Sequence, residues 1–131
     1  MSDTPVEILL VEDNENDIVL IQEAFAEAAT ARLVAVVRDG EEAMAYLGRR
    51  GQYHDARMPG LVLLDINMPK KNGFEVLAEM KADPALQSIP VVIFSGSTQQ
   101  EDIARSYAAG AATYVPKPMD FQGLIEFAQT F

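Results

Sequence analysis

Cysteine is absent from the 131 residues, which removes disulfide frameworks and Cys-based zinc sites together. No apolar run approaches the ~18 residues a membrane-spanning helix needs. The N-terminus, Met1-Ser2-Asp3-Thr4-Pro5, lacks the basic region followed by an apolar region that marks an export signal. Basic residues are scarce. Ten Lys and Arg stand against twenty Asp and Glu, a net charge of −10, which leaves no basic face for nucleic acid. These absences lead us to expect a cytoplasmic protein that engages neither membrane nor nucleic acid and suits cations or a basic partner surface. What is present is an ordinary apolar content of 49% in a chain of one-domain length. That length is enough to bury roughly 65–70% of the unfolded surface. A single domain over residues 1–131 is expected, without repeats or low-complexity tracts.

Three apolar runs each end abruptly in a residue suited to phosphate chemistry. Ile8-Leu9-Leu10-Val11 meets Glu12-Asp13, Leu61-Val62-Leu63-Leu64 meets Asp65, and Val91-Val92-Ile93-Phe94 meets Ser95. A weaker segment, Thr113-Tyr114-Val115-Pro116, delivers Lys117-Pro118. Short uninterrupted Val/Ile/Leu runs are what parallel strands become when helices cover both faces. The pattern predicts strands over Val6–Val11, Leu33–Val37, Gly60–Leu64, Val91–Phe94 and Thr113–Val115. Helices are predicted over Glu15–Ala28, Glu41–Leu47, Phe74–Ala82, about Gln99–Ala109, and from Asp120 onward. Asp39 with Glu42, and Thr98 with Glu101, have capping-box spacing, and Gly110 suits the position after a helix end. Five strand–helix alternations imply right-handed crossovers and a doubly wound α/β sheet. Pro116 cannot donate to a ladder, so the fifth strand should lie at an edge.

In an open parallel sheet the ligand site lies beyond the carboxyl ends of the strands. Glu12, Asp13, Asp65, Ser95 and Lys117 should therefore meet at one edge. Glu12-Asp13 alone reads equally well as a cap for the first helix. With Asp65 from a neighbouring strand, the trio becomes an all-oxygen cluster of the kind hard Mg²⁺ takes. Asp65 is itself a candidate covalent nucleophile toward phosphorus, which needs a metal and cationic or hydroxyl donors around the equatorial oxygens. Lys117 and Ser95 can supply those donors.

Glu12-Asp13, Asp65-x-x-Met68-Pro69-x-x-x-Gly73, Ser95-Gly96 and Lys117-Pro118 together resemble the signature of two-component response-regulator receiver domains, in both order and spacing. The resemblance implies a flavodoxin-like fold: a five-stranded parallel sheet of order 2-1-3-4-5 with helices on both faces. It implies Asp65 as phosphoacceptor, a Mg²⁺ (or Mn²⁺) held by Glu12, Asp13, Asp65 and the Asn67 main-chain carbonyl, and Lys117 and Ser95 on the acyl phosphate. It further implies a switch through Ser95 and Tyr114, a cis peptide at Lys117-Pro118, and rate tuning at Asn67 and Ser97. The partner implied is a histidine kinase, with an unidentified downstream protein. No output domain is expected, and the chemistry is confined to the protein's own phosphotransfer and dephosphorylation. The segment Asn67–Gly73, with the polar connection Arg50-Gly51-Gln52-Tyr53-His54, is similar to the small stand-alone regulators that serve phytochrome-type kinases.

Two other readings compete. Phosphohydrolases of the haloacid dehalogenase type carry Asp-x-Asp at the end of strand one, whereas this strand ends Glu12-Asp13-Asn14. A receiver reduced to a scaffold would lack Asp65, Asp13 or Lys117, and all three are present. On the last helix, Phe121, Leu124, Ile125 and Ala128 form a stripe that can face the sheet, which puts Phe127 off its centre and Phe131 at its flank. The surplus aromatics predict a homodimer through the helix 4–strand 5–helix 5 face, where Tyr107 and Tyr114 also lie.

Overall fold

The computed structural model describes residues 5–28, 30–68, 71–96, 99–118 and 120–131. Strands β1 (Val6–Val11), β2 (Ala31–Val37), β3 (Leu61–Leu64), β4 (Val91–Ser95) and β5 (Thr113–Pro116) form one sheet in the order β2-β1-β3-β4-β5. Every pairing is parallel. Helices α1 (Glu15–Glu27), α2 (Gly40–Leu47), α3 (Gly73–Ala82), α4 (Gln100–Ala108) and α5 (Phe121–Ala128) alternate with the strands. This is the predicted fold and strand order, with β5 and its proline at the edge.

The unbroken apolar runs follow from two cores. Leu9 and Val11 point to the layer of α2 and α3, packing with Met44, Leu47, Val76, Leu77 and Met80. Ile8 and Leu10 point to the opposite layer, with Ile21, Phe25, Leu124 and Ala128 of α1 and α5. Residues of period two thus meet an apolar helix on either side. On α1, Ile18, Ile21 and Phe25 form the buried stripe, while Leu20 lies off it, 41% exposed.

Local signals behave as their chemistry requires. The Asp39 carboxylate accepts from the Glu42 N–H at 2.8 Å, and Glu42 accepts from the Arg38 N–H, one residue earlier than a standard box. Gly110 sits just past α4 at φ +103°, a left-handed conformation that favours glycine. Thr98, the expected cap of α4, lies outside the described residues. The cap position is Gln99, without a side-chain cap hydrogen bond.

Helix α5 corrects the sequence reading. Leu124, Ile125 and Ala128 of the expected stripe pack inward, but Phe127 and Phe131 join them, and Phe121 is the aromatic left 38% exposed. The Phe127 ring stacks on Phe94 at 4.7 Å and meets Phe25 edge-on at 6.3 Å, while Phe131 lies 5.2 Å away. The difference lies in the aromatics, with Phe127 and Phe131 inside and Phe121 outside. Positions 124, 127, 128 and 131 satisfy the same i, i+3, i+4, i+7 rule. The surplus aromatics therefore close the protein's own core, and they do not argue for a dimer.

Candidate functional site

The sheet register delivers the site. Val11 pairs with Leu64, Leu64 with Ile93, and Ser95 with Pro116, so the strand ends stand side by side. Backbone bonds carry the ladder one residue further at three of them. The Asp65 N–H donates to the Val11 carbonyl, Glu12 N–H to Val37, and Lys117 N–H to Ser95, at 2.9–3.0 Å. Loop β3–α3 then turns back on itself. The Gly73 N–H donates to the Ile66 carbonyl, and a Cβ at Gly73 would fall 2.5 Å from the Asp65 carbonyl oxygen and 2.6 Å from the Ile66 Cα. Helix α3 starts there with a full capping box between Asn72 and Glu75, a signal our sequence reading passed over.

At the shared edge, one carboxylate oxygen from each of Glu12, Asp13 and Asp65 lies within 4.8 Å of the others. Glu12 is almost fully buried and Asp65 is 7% exposed, while Asp13 faces solvent. Burial pushes the Glu12 carboxyl up to about 7, and the Asp65 charge adds to the rise despite the opposing Lys117 ammonium. The Lys117 Nζ donates to Glu12 Oε1 at 2.7 Å and Asp17 Oδ2 at 2.8 Å, and lies 3.4 Å from Asp65 Oδ2. Burial alone would lower the lysine. Its bonds to Asp17 and Glu12, with the charges of Asp65 and Glu12, instead raise it above the ordinary lysine range. The Asn67 N–H donates to Asp65 Oδ1 at 3.3 Å. Asp65, Asn67, Ser95, Gly96, Gln99, Asp102 and Lys117 line one open cleft.

Glu12, Asp13, Asp17 and Asp65 thus share this edge with the Lys117 ammonium, an excess of negative charge in partly desolvated surroundings. An all-oxygen set of this kind matches a hard divalent cation, which takes carboxylates, a carbonyl and waters. The residues present fit such a group.

Every residue expected at the sheet edge is there except Tyr114, which is buried in the core beside α4 with its N–H donating to the Tyr107 hydroxyl at 3.2 Å. Ser97 lies outside the described residues. One expectation is overturned: no cis peptide occurs among the described residues, so Lys117-Pro118 is trans. X–Pro bonds prefer trans by about 0.5–1 kcal/mol. The side chain already reaches both Glu12 and Asp65 from a trans bond, because Lys117 continues the β5 ladder. Asp17 is the residue sequence reading missed. It resembles any acid in a helix's first turn, and its lysine partner stands a hundred positions away.

Residues 8–129 match the response regulator receiver domain family. The chain belongs to that family. Among the receivers it resembles, response regulator Rcp1 of Synechocystis sp. is 40% identical over 128 residues, covering 98% of this chain and 87% of Rcp1. The structure of phosphorylated RcpA, a cyanobacterial phytochrome response regulator, superposes with a TM-score of 0.88 at 47% identity, covering 97% of this chain and 91% of RcpA. The Mn²⁺-bound form of Rcp1 superposes with a TM-score of 0.85 at 40% identity, over 96% and 91% of the two chains. The protein is thus a receiver-domain response regulator, a signalling switch of a family whose members are phosphorylated on aspartate. No helix among the described residues is long and apolar enough to cross a membrane.

Proposed function

We propose that Asp65 accepts a phosphoryl group from a histidine kinase. The observation that carries this reading is the convergence of Glu12, Asp13, Asp65 and Lys117 at one strand edge. An Asp65 oxygen attacks the phosphorus of a phosphohistidine. The O–P bond forms as the P–N bond breaks, and the imidazole leaves with the electron pair. Glu12, Asp13, Asp65 and the Asn67 main-chain carbonyl hold Mg²⁺, or Mn²⁺ in its place. When bound, the ion neutralises charge on the equatorial phosphoryl oxygens. Lys117 pairs with one of those oxygens and the Ser95 hydroxyl bonds another. The Asn67 N–H, which donates to Asp65 Oδ1, adds a backbone donor beside the phosphoacceptor.

The acyl phosphate then biases a two-state surface. Ser95 and Tyr114 couple the site to α4, β5 and α5, and that face contacts a downstream protein and a second copy of the chain. The exposed Tyr107, whose hydroxyl lies 3.3 Å from Thr113 Oγ1, is its aromatic feature. The kinase is of phytochrome type, a reading supported by the likeness to Rcp1 and to the phytochrome regulator RcpA. The protein works in the cytoplasm as a switch and catalyses no reaction beyond its own phosphotransfer and dephosphorylation. Incubation with acetyl phosphate and Mg²⁺, followed by intact-mass measurement, tests the assignment. One phosphoryl group per chain is expected, and none on Asp65→Asn. Undiminished labelling of Asp65→Asn would overturn it.

A further inference from the structure

The Lys117 ammonium has three N–H donors, and they are not shared evenly. Its two short contacts go to Glu12 at 2.7 Å and Asp17 at 2.8 Å, and the long one, 3.4 Å, goes to Asp65. The lysine is therefore seated between Glu12 and α1 and stands off the phosphoacceptor. Asp17 is placed for this by its own helix. Asn14 caps α1 by accepting the Asp17 N–H at 3.0 Å, which fixes the backbone and leaves the carboxylate to reach across to Lys117. A helix-dipole role would explain an acid in this first turn, but it needs no lysine from β5.

We propose that Asp17 is a positioning residue that holds the Lys117 ammonium on the α1 side of the cleft and competes for it with the phosphorylated Asp65. The inference rests on the receiver-site reading above and deepens it. Two features make Asp17 the labile end of the lysine's seat. Its side chain is 35% exposed against 1% for Glu12, so water screens its hold more strongly. Glu12 is also a ligand for the divalent cation, which leaves Asp17 as the carboxylate free to compete. A phosphoryl group on Asp65 adds negative charge and acceptor oxygens on the lysine's far side. Lys117 then moves off Asp17, and the strength of the Asp17 contact sets how much its pairing with the phosphoryl group gains.

The test measures affinity for beryllofluoride, a phosphoryl mimic, with saturating Mg²⁺. Asp17→Asn should tighten binding about fivefold, the size expected from releasing a part-exposed ion pair. Asp17→Glu, which restores the charge, should return affinity toward the unmutated value. The tightening should disappear in a Lys117→Met background. Equal tightening with and without Lys117 would mean a general field effect and would overturn the proposal, as would no tightening at all. The Lys117 side-chain Nζ resonance supplies a readout that needs one variant. It should shift in the ligand-free Asp17→Asn protein, and an unchanged resonance would overturn the proposal even if Lys117→Met does not fold. Failure of the unmutated protein to take up beryllofluoride would overturn the receiver-site reading and this inference with it. Uptake without an Asp17 effect would remove this inference alone.

Discussion

Glu12 should couple cation binding to pH, over a window set by its burial. Its carboxyl is raised from 4.5 to about 7, chiefly by burial. A raised acid binds its proton more tightly in the folded state. Its stabilising contribution is therefore complete below pH 4.5 and is lost as pH climbs to 7. Across that span the cation-free protein should lose up to about 3 kcal/mol, because each tenfold gain in proton affinity is worth about 1.4 kcal/mol. A divalent cation needs the ionised carboxylate and competes with that proton. With a midpoint near 7, the apparent dissociation constant for Mg²⁺ should be about tenfold weaker at pH 6 than at pH 8. At a Mg²⁺ concentration 100-fold above the pH 8 constant, stabilisation should be about 2.7 kcal/mol at pH 8 and about half that at pH 6. For a chain of this length these correspond to melting-temperature rises of about 10 °C and about 5 °C. Calorimetric melts at both pH values, with Mg²⁺ and with chelator, read this directly. Glu12→Gln should bind Mg²⁺ more weakly and with little pH dependence over the same range. Equal Mg²⁺ effects on melting at pH 6 and 8, or an unaltered pH dependence in Glu12→Gln, would refute the argument.

Gly73→Ala should destabilise the protein by about 1–3 kcal/mol and slow labelling by acetyl phosphate, because the new methyl meets Asp65 and Ile66 backbone that cannot swing aside. Urea midpoints and a labelling time course check both halves. Phe127→Ala should cost about 3 kcal/mol by opening a hole among Phe25, Phe94 and Phe131, and a variant as stable as the parent would show that α5 packs otherwise. Lys117→Ala should still accept some phosphate yet leave α4 unmoved, so wild-type-like chemical-shift changes in α4 of the phosphorylated variant would refute its coupling role. Tyr107→Glu should leave phosphorylation intact and shift sedimentation from dimer to monomer. A parent protein that sediments as a monomer at high concentration, phosphorylated or not, would end the dimer proposal.

The strands and the edge cluster were legible because they rest on short-range physics. An apolar run of four to six residues between breakers has few alternatives to a buried strand. Once five such strands are parallel, their C-terminal residues converge without further information. Asp39 with Glu42 worked for the same reason, since both partners lie within one helical turn. What escaped reading was long-range or degenerate. Helix α5 carries apolar residues at enough positions that two stripes fit the helical period, one starting at Phe121 and one at Leu124. The choice between them is made by Phe25 on α1 and Phe94 on β4.

The same limit governs the lysine. Its convergence on Asp65 could be anticipated from strand order, since both residues sit at carboxyl ends of the same sheet. Its contact with Asp17 could not, because Asp17 belongs to a helix whose rotation about its own axis is set by Ile18, Ile21 and Phe25, which bury the neighbouring part of the same face. Turning α1 by one residue, about 100°, would carry Asp17 away from the cleft while preserving its role as a first-turn acid. Burial of the α1 stripe therefore fixes where Lys117 rests in the unphosphorylated protein. A variant that loosens Phe25 in the core should thus weaken the Asp17–Lys117 contact from two turns along the helix. That route from packing to site chemistry reaches Lys117 through Asp17, a residue outside the receiver signature.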